Sequence, residues 1–380
     1  MKSKVNSIIE NIEISKIRQI AFKMNAYEDG INLTIGEPSQ DLPDCVKIEM
    51  ACRLLHDKIG YAPTGGMPEL KQEIVKFYNK YFGGKYKEEN CLITVGSTEG
   101  LSTFIRSLIG EGDEVIMPTP TYPGYAPNIK LQKGIEVYLD TSADNFKLKA
   151  STLEKAINKK TKAIILTYPN NPAGICIDAE EMDKIADVIR RHDIYVLSDE
   201  IYASLAFEKY NSFAKYHDLL DKVVIINGFS KSHSMTGYRL GYMLASKYFI
   251  DNFIKVSQYT TTGITTIAQY GGIKALQVCP TREDIVKENK ERMDFFAKGL
   301  EKIGFKVIKP EGAFYLFADY RKLSNKKSMD FVNEIVENLH IGIVPGECFM
   351  VEGYVRFSIT KEKEVLDEAI RRISEYFKRG

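Results

Sequence analysis

The chain has no tryptophan, and only five histidines and six cysteines among its 380 residues. The cysteines stand at 45, 52, 91, 176, 279 and 348, with no Cys-x-x-Cys pair. That scatter argues against a zinc ribbon or a disulfide framework and fits reduced thiols. The histidines also lack metal-ligand spacing, so no metal site is expected. Neither sign of charge is in excess. With 52 Lys and Arg against 51 Asp and Glu, nothing favours nucleic acid or an anionic membrane as partner. The N-terminal lysines are followed by no uninterrupted apolar run. The sequence therefore reads as having neither a signal peptide nor a membrane span, and a cytoplasmic location is expected. Repeats and low-complexity tracts are lacking too.

What remains is an ordinary globular composition, 44% hydrophobic and 27% charged, too long for one small core. Two domains are expected. Six short apolar runs read as buried strands: 91–95, 114–117, 135–139, 163–167, 194–198 and 223–227. Between them lie helical patterns at 98–109 and 178–190, the second opening on Asp178 as N-cap candidate. Strand–helix alternation predicts an α/β fold with a mostly parallel sheet covered on both faces. From about residue 285 a charged helix (283–303) leads into short strands at 306–308, 313–317 and 354–359, with a helix near 329–339. This predicts a smaller α+β domain of residues 1–45 and 285–380, and a large domain of residues 46–284.

In such sheets ligands bind beyond the carboxyl ends of the strands. Ser97 and Thr98, Tyr122, Asn171, Asp199 and Lys231 each follow a different expected strand end. Gly96-Ser97-Thr98-Glu99-Gly100 joins a strand to a helix start, where free N–H groups and hydroxyls could hold a phosphate, or could simply cap the helix. Tyr122 could stack on an aromatic cofactor, or pack like the other tyrosines. Asn170-Asn171-Pro172 is first of all a turn. In Ser198-Asp199-Glu200-Ile201-Tyr202, Asp199 could pair with a pyridine nitrogen and Tyr202 could donate to the ring oxygen, a task Asn171 could share. Their alternatives are a cap and a core aromatic.

The segment Gly228-Phe229-Ser230-Lys231 carries a lysine, and Arg239 follows eight residues on. A Schiff-base lysine must be partly desolvated so that its neutral amine can attack a carbonyl, and an arginine can fork onto a phosphate. Together they point to pyridoxal 5'-phosphate (PLP). Arg356 stands within a strand-like run, where a buried guanidinium needs an anion: a substrate carboxylate, or an internal Asp or Glu. Arg18, in Ser15-Lys16-Ile17-Arg18, reads as a surface residue, or as a cation on a segment closing over the substrate.

Taken together, Thr34-Ile35-Gly36-Glu37-Pro38, Tyr61-Ala62-Pro63-Thr64-Gly65-Gly66, the Gly96 turn, Asn170-Asn171-Pro172, Ser198–Tyr202, the lysine segment and Val355-Arg356 resemble the class I/II aminotransferases, PLP enzymes of fold type I. Thr121–Tyr125 and Asn227–Gly237 resemble the bacterial branch that includes N-acetyl-diaminopimelate aminotransferases. The resemblance implies a seven-stranded, mostly parallel sheet in the large domain and PLP as cofactor. It implies Lys231 as the lysine bound to the cofactor aldehyde and Asp199 as partner of the ring nitrogen. Asn171 and Tyr202 would serve the ring oxygen, with Tyr122 stacked on the ring. The phosphate would fall to Ser97, Thr98, Ser230 and Arg239, joined by Tyr61 of a neighbouring subunit in a homodimer with shared active sites. Gly36, Asn171 and Arg356 would bind substrate.

One position departs from the family pattern: Gly228 stands where many members have a phosphate-binding serine. The expected reaction moves an amino group from an L-amino acid, of N-acetyl-diaminopimelate, aspartate or aromatic type, to a 2-oxo acid such as 2-oxoglutarate. The alternatives are a PLP-dependent C–S β-lyase and a non-catalytic PLP-binding regulatory module.

Overall fold

The computed structural model describes residues 5–378. Its centre is a seven-stranded sheet. The strands are β1 (Cys91–Val95), β2 (Glu114–Thr119), β3 (Ile135–Asp140), β4 (Thr161–Thr167), β5 (Tyr195–Asp199), β6 (Val223–Gly228) and β7 (Leu240–Leu244). Across the sheet they run β1-β7-β6-β5-β4-β2-β3. All neighbours are parallel except at β7, which runs antiparallel to both β1 and β6.

The apolar runs are near-continuous because both faces of the sheet are covered. Successive residues serve opposite cores. Leu92, Val115, Leu197, Val224 and Met243 pack on one side with Leu101, Phe104 and Ile105 of helix α2 (Gly96–Leu108). Ile93, Ile116, Val196, Ile225 and Leu244 face the other, against Ile185 and Ile189 of α4 (Ala179–Arg191). That two-residue alternation is the pleat itself.

Three local expectations are corrected. β3 was expected to be buried, yet it is the sheet edge and has one neighbour only, so Ile135 stays 43% and Tyr138 39% exposed. β7 was not expected at all: Leu-Gly-Tyr-Met-Leu holds no β-branched residue, and its pairing rather than its propensity makes it a strand. Asp178 occupies the N-cap of α4 but makes no capping bond. Its carboxylate turns to Lys147 Nζ at 3.3 Å.

The second sheet is antiparallel, ordered β10-β11-β9-β8 from β8 (Lys306–Val307), β9 (Tyr315–Asp319), β10 (Val344–Pro345) and β11 (Tyr354–Ser358). Phe296 and Leu300 of α7 (Glu283–Ile303) and Leu366 and Ile373 of α8 (Lys363–Lys378) close its core with Leu316, Val355 and Phe357. Residues 31–32 pair in parallel with Ile341–Gly342, which ties the N-terminal region to this unit.

Gly241 in β7 is where the two central features touch: a Cβ there would stand 2.4 Å from Gly96 C and 2.5 Å from Ser97 N. Backbone cannot yield as a side-chain tip can. Gly241→Ala is therefore expected to lower unfolding stability by about 1–3 kcal/mol in denaturant titration, an overpacking cost; unchanged stability would mean that the helix start gives way freely.

Candidate active site

The carboxyl ends of β1, β2, β4, β5 and β6 converge on one cavity of about 1010 Å³. From the large sheet it is lined by Ser97, Thr98, Tyr122, Asn171, Asp199, Tyr202, Ser230, Lys231 and Arg239. Gly36 and Arg356 close it from the N-terminal region and β11. Tyr61 alone of the expected site residues does not line it, and lies 96% exposed.

Three of these groups are charges set into apolar surroundings. Lys231 sits on the short helix α5 (Phe229–Ser232) that directly follows β6. Its Nζ donates to the Gly36 carbonyl at 2.5 Å, and burial pulls its pKa down to about 8. Asp199 ends β5. It accepts from Tyr125 Oη at 2.7 Å and from the Ile201 amide at 3.3 Å, and burial pushes its pKa up to about 6. Among the described residues no lysine, arginine or histidine pairs with it. Arg356 is 2% exposed in β11. Its Nη1 donates to Asn171 Oδ1 at 2.8 Å and its Nη2 to the Thr34 carbonyl, whereas Nε is buried without a partner. The internal Asp or Glu left open as its partner is absent among the described residues. The guanidinium instead stacks 4.6 Å over the Tyr315 ring and 5.1 Å over Phe349.

At the other end, α2 begins at Gly96 with no side-chain cap, so neither Ser97 nor Thr98 performs the capping role. The helix start keeps its unpaired N–H groups. Arg239 reaches it from a left-handed backbone (φ 52°): its Nη2 would stand 2.6 Å from a Cβ on Gly96, and its Nη1 donates to the Thr236 carbonyl at 3.0 Å. Ser230, 8% exposed, lies alongside. Gly228 has no room for a side chain, since a Cβ would meet the Leu240 carbonyl at 2.8 Å. That is the physical reason for a glycine there.

In the Asn pair the labour divides: Asn170 Oδ1 holds the turn by accepting from the Ala173 amide at 3.1 Å, and Asn171 faces the cavity. Tyr202 is buried, its hydroxyl 2.8 Å from that of Tyr315. Burial, and then the charge of Asp199, raise the Tyr122 hydroxyl, while Arg18, Arg356 and Arg239 draw it down.

Sequence reasoning missed several participants. Tyr125, three residues past Tyr122 on α3 (Tyr125–Leu131), joins Asp199 to Thr167. Thr167 and Asp199 are register partners in adjacent strands, a pairing that was open to inference from the strand ends. Tyr315 looked like a plain strand residue, yet its hydroxyl would be 2.0 Å from any Cβ on Gly36. Glu200, fully buried beside Asp199, accepts from Ser198 at 3.1 Å, Ser212 at 2.8 Å, the Phe213 amide at 3.2 Å and Tyr78 at 3.2 Å. Burial pushes its pKa up to about 7. Tyr78 accepts in turn from Asn227 Nδ2 at 2.7 Å, and Asn227 Oδ1 accepts from the Gly228 amide at 2.7 Å.

Comparison with known proteins places this geometry. The family model for aminotransferase class I and II matches residues 28–373. A probable N-acetyl-LL-diaminopimelate aminotransferase of Bacillus subtilis is 36% identical over 98% of this chain and 95% of its own. An aspartate aminotransferase of Thermotoga maritima is 34% identical over 98% of this chain and 99% of its own. Among solved structures, the aspartate aminotransferase from Thermus thermophilus with maleate superposes with a TM-score of 0.94 at 28% identity, over 98% of this chain and 99% of that one.

Members of this family depend on PLP, and the residues here fit it. A buried carboxylate without a cation suits a pyridinium nitrogen, a desolvated lysine suits an aldehyde, and an uncapped helix start beside an arginine suits a phosphate. Match along the chain, likeness of fold and fit of cofactor agree: the protein belongs to the class I and II aminotransferases and is a PLP-dependent enzyme.

Proposed function

We propose that the enzyme moves the amino group of an L-amino acid to a 2-oxo acid, with 2-oxoglutarate as acceptor and a donor of the aspartate or N-acetyl-diaminopimelate type. One observation carries the reading: Lys231, Asp199 and Arg356 face a single cavity, each desolvated and none paired with an opposite charge among the described residues. The relatives named above favour these two donor types. Bound PLP supplies an aldehyde that condenses with amines and a ring that takes up electrons when the substrate loses its α-proton.

The protein supplies binding and proton traffic. At pH 7.5 an amine with a pKa of about 8 is about a quarter neutral, against about one part in a thousand at the ordinary 10.5. Lys231 Nζ would take the proton from the substrate Cα and return it, as base and then as acid. Asp199, steadied by Tyr125, would pair with the ring nitrogen of the cofactor and favour its protonated form. Arg356, which lines the cavity, would meet the α-carboxylate there, with Asn171 and the narrow passage at Gly36 fixing its orientation. Ser97, Thr98, Ser230 and Arg239 would hold the phosphate, with Tyr122 available to cover the ring and Tyr202 to donate to the ring oxygen.

We also infer a homodimer in which Tyr61 completes the neighbouring site. Its exposure, beside exposed Leu54, Leu55 and Ile59, supports that arrangement. Six unpaired cysteines support a cytoplasmic location, and the two sheets, each formed from its own stretch of sequence, support a division at residues 46–284 and at 1–45 with 285–380.

Lys231→Ala is expected to cut amino transfer by at least about 10³-fold and to remove the absorbance of the lysine-bound cofactor. Its circular dichroism should be unchanged, because the side chain makes one hydrogen bond. Normal turnover by that variant overturns the assignment. Release of pyruvate and ammonia from cystathionine without an acceptor makes the enzyme a lyase, and PLP binding without turnover of any donor makes it a regulatory module.

Asp199 provides a test by pH. In the cofactor-free protein it binds its proton more tightly folded, at about 6, than unfolded, at 3.8. Ionisation therefore withdraws stability as pH rises between those values, and no more above them. Asp199→Asn should gain thermal stability relative to the wild type across that window, with a flat difference on either side. A difference independent of pH contradicts the burial of an unpaired carboxylate.

A further inference from the structure

Past helix α1 (Lys16–Lys23) the chain runs across the site as residues 33–37. This strap is rooted at Leu33, whose amide donates to the Gly342 carbonyl and whose carbonyl accepts from the Ser358 amide, both at 2.8 Å. Beyond the root it meets the cations of the site in turn. The Thr34 carbonyl accepts from Arg356 Nη2, and the Gly36 carbonyl accepts from Lys231 Nζ at 2.5 Å. The Glu37 carboxylate accepts from Thr236 Oγ1, and the Thr236 carbonyl accepts from Arg239 Nη1 at 3.0 Å.

Thr34 and Gly36 act here through backbone carbonyls, which any residue would offer. Glu37 alone of the three acts through its side chain, and it brings a charge. Its partner Thr236 stands in the loop between Lys231 and Arg239, so one bond fastens the strap to the segment that carries both cations. The charge falls where it matters. Burial lowers the pKa of Lys231 most; Glu37 raises it, and Arg239 and Arg356 lower it further. Asp199, Tyr122, Tyr202, Tyr315 and Arg18 line the same cavity. His233, two residues past Lys231, turns instead to the Cys279 carbonyl at 3.0 Å, just beyond helix α6 (Thr266–Val278).

Resting on the transaminase reading, we propose that Glu37 is a positioning residue of this enzyme: its bond to Thr236 holds the strap against the Lys231 loop, keeping the Gly36 carbonyl and the Glu37 charge beside the amine. Both groups favour the ammonium form, a hydrogen-bond acceptor by contact and a carboxylate through space. A group that serves as base and then as acid needs both forms within reach at working pH. Burial and two guanidiniums alone would leave the amine too weak a base to keep the proton that it must return. Glu37 restores the balance.

The test reads Lys231 directly. In the cofactor-free full-length chain, trace acetic anhydride labels neutral amines, and peptide mass mapping follows Lys231 against pH. The wild-type midpoint should lie near about 8. Glu37→Gln, which keeps an acceptor for Thr236 but not the charge, should move it down by about 0.5 to 1 unit. At pH 6.5 that makes Lys231 about 3- to 10-fold more reactive. Glu37→Asp should recover part of the shift, and added salt should narrow the gap between wild type and Glu37→Gln, because Glu37 is exposed. Thr236→Val, which cuts the bond and leaves the charge, should fall between. Glu347→Gln, at a carboxylate of the same cavity bonded to Lys16 at 2.8 Å, should leave the midpoint in place. In the PLP-loaded enzyme, Glu37→Ala and Thr236→Val should lower kcat by about 3- to 10-fold with a smaller change in KM for glutamate.

A Lys231 midpoint that stays put in Glu37→Gln, or that Glu347→Gln moves as far, overturns the proposal. So does a Thr236→Val variant indistinguishable from wild type, or a loss of kcat/KM carried by KM alone. If no amino donor reacts with the PLP-loaded wild type, the transaminase reading fails. The labelling of the cofactor-free chain then still decides on Glu37.

Discussion

The site depends on the burial of Asp199 without a protein cation. A carboxylate at a strand end, held by a tyrosine hydroxyl and one amide, is costly to ionise at that depth. Such a group rewards any ligand that arrives with positive charge at that depth. Lys231 and Arg356 follow the same logic with opposite sign, and Arg356 even keeps a buried Nε free. The fold thus holds three unfavourable placements whose relief comes from one ligand and its substrate. The energy withheld from folding is available for binding.

Much of this was legible in the sequence because strand ends are. Apolar runs over the large sheet announced five of its seven strands with errors of two residues or fewer at either end, and the polar residue after each run pointed to the cavity. The sixth run, β3, was found as a strand but misjudged as buried, since an apolar run carries no sign of being at the edge. β7 was illegible: its two neighbours and their register supply the pairing that its own residues do not ask for. Tyr315 and Tyr125 stayed hidden for a related reason. Nothing in a tyrosine's sequence context tells a hydroxyl aimed at Gly36 or Asp199 from one aimed at the core.

Glu200 is the instructive case. Motif reading passed over it in favour of its neighbour Asp199, because a carboxylate without a ligand to meet has no evident task. In the fold it accepts from four donor residues and, through Tyr78 and Asn227, its network ends at the amide of Gly228. Glu200, next to Asp199, and Gly228, three residues before Lys231, are therefore joined by one hydrogen-bonded network. A network of this kind is worth more in rigidity than in net stability.

The connection between β6 and β7 has a geometric consequence. Gly228 and Gly241 are register partners, so the loop carrying Lys231 and Arg239 is clamped at both ends by the sheet ladder. The spacing between the two residues that carry its amine and its guanidinium is thereby set by the backbone. On the roles proposed for Lys231 and Arg239, the loop would work as a gauge block, suited to a molecule of one length that bears a carbonyl at one end and an anion at the other.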